Sequence, residues 1–267
     1  MEFRTKVDID RPPFTIEPLE ELLFVGSCFA ENIGRRFGEE HFPVTVNPFG
    51  VMYNPASVLH TLQRVERIPR IVFITLGTNH VYRLKQTGEI VDNCQKRPQN
   101  LFQEEVLSVA QCRDYLMQAV EHVVEHCEQA HVVITVSPIR YRKYGYHGSQ
   151  LSKATLLMAA DEVCRLNTEH ATYFPAYELV LDELRDYRFY QPDMLHPSHQ
   201  AVEFIWERLA ELYLSPMAKE FVKDWQPIKA ALGHKPFNPD SEEYRQFLCN
   251  ARQKEHELIE RMKPCRD

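Results

Sequence analysis

Short, continuous and mainly apolar runs, most of them closed by a glycine, a serine or a proline, recur along this chain with helix-length stretches between them. That rhythm constrains the fold more than any other feature. The runs occupy residues 22–25, 44–46, 71–76 and 132–136, with a weaker one at 172–174. The stretches between and after them, 28–37, 55–64, 103–129, 149–167 and 176–185, have the length or the periodicity of helices. Strands that are apolar on both sides are covered on both faces, and regular alternation with helices makes neighbouring strands parallel. The expected architecture is therefore α/β: a three-layer αβα sandwich around a mainly parallel five-stranded sheet, spanning residues 1–215. Residues 216–267 contain no strand-like run but many Lys–Glu pairs at helical spacing. They read as a helical C-terminal appendage, packed on the domain or used to form a homo-oligomer.

A parallel sheet gathers the loops after its strands at one edge, where ligands bind. Four loops converge there on this reading: Ser27, the turn through Gly50, residues 77–82 and residues 137–146. Ser27 sits where the first apolar run breaks at Gly26 and a helix begins, so the free N–H groups of that helix point at whatever the side chain meets. This is a position for a nucleophile, and equally for an N-cap. In "YQPDMLHPSHQ", Asp193 and His196 are three apart. Pro197 suits the first helical position, which would leave His196 at the helix mouth with Asp193 orienting its ring. Asn79, two residues past Gly77, could give its amide to an oxyanion that also receives the N–H groups of Ser27 and Gly50. Each feature has a plainer counterpart: a capping serine, a turn aspartate with a surface histidine, a turn-forming asparagine.

"SPIRYRKYGYH" adds Arg140 together with Tyr141, Tyr144 and Tyr146, a mixture suited to stacking on a sugar. Nucleic acid is disfavoured as a partner, because 31 basic residues face 38 acidic ones and the net charge is −7. No apolar run reaches the roughly 20 residues that span a bilayer. The first ten residues also lack a signal peptide's apolar centre, so the chain reads as soluble and cytoplasmic, although one trimmed of a leader would look the same. Seven cysteines (Cys28, Cys94, Cys112, Cys127, Cys164, Cys249 and Cys265) are scattered without a CxxC pair, which argues against a disulfide framework. Cys28 is the exception to a structural reading: at a helix N-terminus its thiol could act in place of Ser27, since only one of two adjacent side chains can face the cleft. His122, Glu125 and His126 match the HxxEH pattern of a zinc site, but they fall on a helix that leads into the fourth strand, away from the converged loops. They read as a solvated helix face, with no metal and no cofactor expected.

Serine at the first strand end, asparagine at a later one and DxxH toward the domain's end follow the order of SGNH, or GDSL-like, hydrolases. More closely, the chain resembles the GSCFA family, whose name is spelled by Gly26, Ser27, Cys28, Phe29 and Ala30. The likeness continues through "NPFGVMYNP", "ITLGTNHVYR", "VSPIRYRKYG", "SQLSKATLL" and "DMLHPS". It implies a flavodoxin-like SGNH sandwich and an ester-hydrolysing triad of Ser27, His196 and Asp193, with Asn79 and Gly50 at the oxyanion. His80 and Arg140 join the substrate-binding candidates, and Cys28 and His80 depart from the usual SGNH pattern beside Ser27 and Asn79. The implied activity is a serine esterase or acetylesterase acting on a small-molecule or glycan ester, abolished by Ser27→Ala. A silent carbohydrate- or acyl-binding module on the same scaffold is the alternative.

Overall fold

Strand β1 (Leu22–Gly26) is buried along its whole length, and its side chains feed two separate cores because alternate residues of a strand point to opposite faces. Leu23 and Val25 join one apolar cluster, Leu22 and Phe24 the other. The remaining elements repeat this plan in a computed structural model that describes residues 4–92, 94 and 97–262. In chain order they are α1 (Cys28–Glu39), β2 (Val44–Val46), α2 (Pro55–Arg64), β3 (Ile71–Leu76), β4 (His80–Leu84), β5 (Ile90–Val91), β6 (Phe102–Val106), α3 (Val109–His126), β7 (His131–Val136), α4 (Gly145–Leu166), β8 (Ala171–Tyr173), α5 (Ala176–Glu178), α6 (His199–Tyr213), α7 (Pro216–Leu232) and α8 (Glu242–Met262). Cys265 lies outside the described residues.

The main sheet has the order β2-β1-β3-β7-β8, and all its pairings are parallel. Helices α2, α3 and α4 cover one face over Val72, Ile74, Val132 and Ile134, while α1 and α6 cover the other over Phe24, Phe73 and Val133. The chain is thus the three-layer sandwich expected. Aromatic packing seals the α1 side: Phe24 stacks on Phe73 with ring centroids 4.6 Å apart, and Phe37 meets Trp206 edge-on at 4.8 Å. Fully burying each such ring contributes on the order of 2–3 kcal/mol.

Three segments differ from the sequence reading. Residues 103–129 are not one helix: the first part belongs to β6, which pairs antiparallel with β4 from His80↔Val106 to Leu84↔Phe102 in a separate three-stranded sheet. Helix α3 starts only after Ser108, whose hydroxyl accepts the Gln111 N–H while the Gln111 side chain accepts the Ser108 N–H. That capping box satisfies two N–H groups at the helix start. Residues 176–185 form a single α turn that widens into a π-helical segment, Leu179–Leu184, and stops at Arg185 in the left-handed region (φ 42°). Third, Pro197 does not open a helix. The N-cap of α6 is Ser198, its hydroxyl accepting from the Ala201 N–H, and Pro197 instead bridges to Tyr190.

The C-terminal helices pack on the sandwich. Trp225 Nε1 of α7 donates to the Glu39 carbonyl at 2.8 Å, Lys229 Nζ donates to Glu40 Oε1 at 2.9 Å, and Ala218 joins the α1-side core. Helix α8 closes against α7 through Phe221, Trp225, Ile228 and Leu258. Among the described residues no helix is long and apolar enough to cross a membrane.

Candidate active site

The corner after β1 is built around one glycine. Gly26 has φ +134°, donates its N–H to Asn47 Oδ1 at 2.9 Å and receives the Met52 N–H on its carbonyl at 2.8 Å. A Cβ there would lie 2.1 Å from the Thr75 carbonyl oxygen on β3, so the two strand ends touch backbone to backbone. Ser27 then caps α1. Its N–H donates to the Thr75 carbonyl, its hydroxyl accepts from the Phe29 N–H at 3.3 Å, and the same hydroxyl shares a 2.9 Å hydrogen bond with Thr75 Oγ1. With 1% of its surface exposed, the Ser27 side chain faces into the protein. No bond joins it to His196.

What His196 meets is Cys28. Its Nε2 lies 3.8 Å from the Cys28 sulfur, and its Nδ1 lies 2.5 Å from Asp193 Oδ2. Asp193 Oδ1 accepts the N–H groups of Leu195 and His196 at 2.8 and 3.0 Å, which fixes the carboxylate under the ring. Those bonds, the backbone ones first, hold the Asp193 carboxyl down at about 2. It stays charged across the whole working range of a protein and orients the ring so that Nε2 faces the sulfur. The loop carrying this pair is tied at both ends: Gln191 N–H donates to the His196 carbonyl at 2.8 Å and Ser198 N–H to the Phe189 carbonyl at 2.7 Å. The imidazole thus meets Cys28, whereas the Ser27 hydroxyl is turned back to cap α1 and to bond Thr75.

Cys28 sits at the first helical position of α1, where N–H groups lack intrahelical partners and the helix dipole favours negative charge. Burial pushes its thiol up, and the charge of Glu31 adds to this. The N–H groups of Cys28 and Phe29 and the ammonium of Lys153 pull it the other way. Burial prevails, so the resting group is a thiol that needs a base beside it.

The other expected residues are placed differently. Asn79 is buried and its Nδ2 donates to the Leu107 carbonyl at 2.7 Å, tying the start of β4 to the chain after β6. The Gly50 N–H is spent on the Asn47 carbonyl at 2.8 Å, closing an exposed turn. The Gly50 N–H is thus committed, whereas Asn79 commits one of its two amide N–H groups. His80 packs flat on Tyr144 with centroids 3.6 Å apart and faces Glu104, a contact of the three-stranded sheet. Arg140 does reach the site: its backbone N–H donates to the Leu195 carbonyl and its Nη1 to the Met194 carbonyl, both at 3.0 Å, bracing the loop that holds His196. His122, Glu125 and His126 bring their ligand atoms within 4.8 Å of one another near the end of α3, remote in the fold from these loops.

Lys153 is the residue that sequence reasoning passed over. Fully buried on α4, it donates through Nζ to the carbonyls of Gly77 and Ser137 at 2.8 and 2.7 Å, bridging the ends of β3 and β7. A signal existed: Lys153 interrupts a helical stripe of buried Ser149, Ser152, Leu156, Ala160 and Val163. Burial pulls its amine from the ordinary 10.5 down to about 7. Between those values the unfolded chain holds a proton that the folded one lacks, so stability rises with pH across that window. Denaturant unfolding of Cys28→Ala and of Cys28→Ala/Lys153→Met from about pH 7 to 10 is expected to show the Lys153-containing protein gaining stability relative to its partner as pH rises. Parallel curves would contradict it.

The chain matches the GSCFA family over residues 21–69 and 67–209, and the C-terminal domain of GSCFA proteins over residues 225–264. No curated protein matches it. Among solved structures, a Parabacteroides merdae ATCC 43184 protein described as GDSL-like superposes with a TM-score of 0.50 at 12% identity, covering 75% of this chain and 100% of that one. A Streptococcus pneumonia chain whose description names platelet activating factor gives 0.48 at 16% identity, covering 74% and 85%. An acetyl-xylooligosaccharide esterase of Geobacillus gives 0.45 at 11%, covering 74% and 96%. With the family signature seated at the β1–α1 corner of an SGNH-hydrolase sandwich, and the family match running across most of that sandwich, the chain belongs to the GSCFA family.

Proposed function

We propose that this protein is an acyl-ester hydrolase that works through Cys28, with His196 as base and Asp193 as its orienting carboxylate. The observation that carries the reading is the line from Asp193 Oδ2 through the imidazole to the Cys28 sulfur, 2.5 Å on one side of the ring and 3.8 Å on the other. A bare binding module has no task for a base oriented in this way.

In the proposed cycle, His196 Nε2 takes the thiol proton and the sulfur attacks the ester carbonyl. The Cys28 N–H and the α1 dipole stabilise the oxyanion. Collapse breaks the bond to the alcohol oxygen, which takes the proton from His196, and leaves a thioester on Cys28. Water, deprotonated by His196, attacks the thioester; the acid departs and the thiol is restored. Ser27 holds the corner instead of reacting. Tyr53 and Tyr141, whose ring centroids lie 6.2 Å apart, offer faces for a sugar or other polar carrier.

Brief reaction with 4-nitrophenyl acetate followed by peptide mass analysis tests the assignment. The acetyl group is expected on the peptide containing residues 27 and 28, sensitive to hydroxylamine as a thioester, and absent from Cys28→Ala. An oxygen ester that persists in Cys28→Ala would overturn it.

A further inference from the structure

A cleft of about 280 Å³ lies against the loop that holds His196, lined by Arg140, Tyr146, Gln150, Lys153, Tyr177 and Tyr190. Lys153 lines it and donates to the Gly77 carbonyl at 2.8 Å, and Gly77 packs against Ser27, so the cleft lies one layer of residues from the proposed reaction centre. Its charges are unbalanced. Asp186 on the rim is bonded by the Arg188 guanidinium at 3.0 Å, and Arg185 has Asp182 at 3.8 Å. Arg140 has no carboxylate within ion-pair distance among the described residues. Its guanidinium stacks 4.2 Å from the Tyr146 ring centroid and lies within 6 Å of the Tyr187 and Tyr190 rings.

A planar cation held between aromatic faces, with one N–H used on the Met194 carbonyl and the others uncommitted to any carboxylate, is preorganised for bidentate recognition of an anion. Tyr177 gives its hydroxyl to Gln150 Oε1 at 2.5 Å, which leaves the Gln150 amide N–H groups as further donors toward the same space. Resting on the esterase reading above, we infer that this cleft is a subsite for an anionic group on the substrate, a carboxylate or a phosphate, held by Arg140.

Two measurements on the intact protein test this. In the first, glutarate and inorganic phosphate are titrated as inhibitors of 4-nitrophenyl acetate hydrolysis by wild type and Arg140→Gln. Wild type is expected to be inhibited competitively by at least one of the two, and Arg140→Gln to need about tenfold more of it, the loss typical of a charge-assisted bidentate contact. The anion that inhibits at lower concentration identifies the ligand as carboxylate or phosphate. A merely structural role for Arg140 would lower turnover of the neutral ester while leaving the inhibition constant unchanged, and that result overturns the inference. The second measurement needs no turnover: the melting temperature is followed against each anion, with sodium chloride matching ionic strength. A rise in wild type that is lost in Arg140→Gln supports the subsite even if no ester is hydrolysed, in which case the esterase reading alone fails. No rise with either anion, or an equal rise in both proteins, overturns the subsite.

Discussion

Cys28→Ala is expected to lower ester turnover by at least about a thousandfold, whereas Ser27→Ala keeps turnover within about tenfold of wild type. The asymmetry follows from where the two side chains point. Removing the sulfur takes away the atom that His196 faces at 3.8 Å, and no other described nucleophile adjoins that imidazole. Removing the Ser27 hydroxyl takes away an N-cap bond to the Phe29 N–H and the shared bond to Thr75 Oγ1. Its cost is paid in stability, about 1–2 kcal/mol for a lost cap and a lost buried hydrogen bond. Steady-state kinetics with a chromogenic ester, run beside urea unfolding of both variants, separates the two effects. Turnover that survives in Cys28→Ala and vanishes in Ser27→Ala would return the chemistry to the serine.

The largest effect on folding is expected at Gly26. Gly26→Ala places a methyl group 2.1 Å from the Thr75 carbonyl oxygen and 2.8 Å from its hydroxyl, at φ +134°, where side chains are strained in any case. Strands β1 and β3 would have to part, so a loss above about 4 kcal/mol is expected, enough to keep a domain of ordinary stability from folding. Gly50→Ala is the control. Its φ of +95° brings similar backbone strain, but a Cβ there meets nothing within 4 Å, so the cost should stay near 1–2 kcal/mol. Soluble yield and urea midpoints of the two variants decide it, and equal losses would remove the steric argument.

Several parts of this picture are legible in the linear chain. Residues 22–25 are wholly apolar, and 71–76 and 132–136 are apolar but for Thr75 and Thr135, so these short runs read as strands covered on both sides, and the helices between them favour parallel pairing. Asp193 and His196 are close in sequence, and a spacing of three in a tight loop was enough to foresee their contact. The three-stranded sheet was hidden because its strands are short and β6 is polar: it reads Phe-Gln-Glu-Glu-Val, three acidic or amide-bearing positions between two apolar ones, which suit a helix equally well until β4 is there to pair with it.

What the sequence by itself determined is the sandwich, the edge at which its loops gather and the acid–base pair, because periodicity and short-range spacing depend only on the local chain. Tertiary structure alone decided which of two adjacent side chains faces that pair. The bond from Ser27 to Thr75 crosses 48 residues, and the contact from Cys28 to His196 crosses 168. The burial of Lys153 between two strand ends is decided in the same way, by carbonyls just after β3 and just after β7 that no local pattern on α4 can announce. A side chain's direction at a strand-to-helix corner is set by the partners that the fold brings to it, and those partners come from elsewhere in the chain.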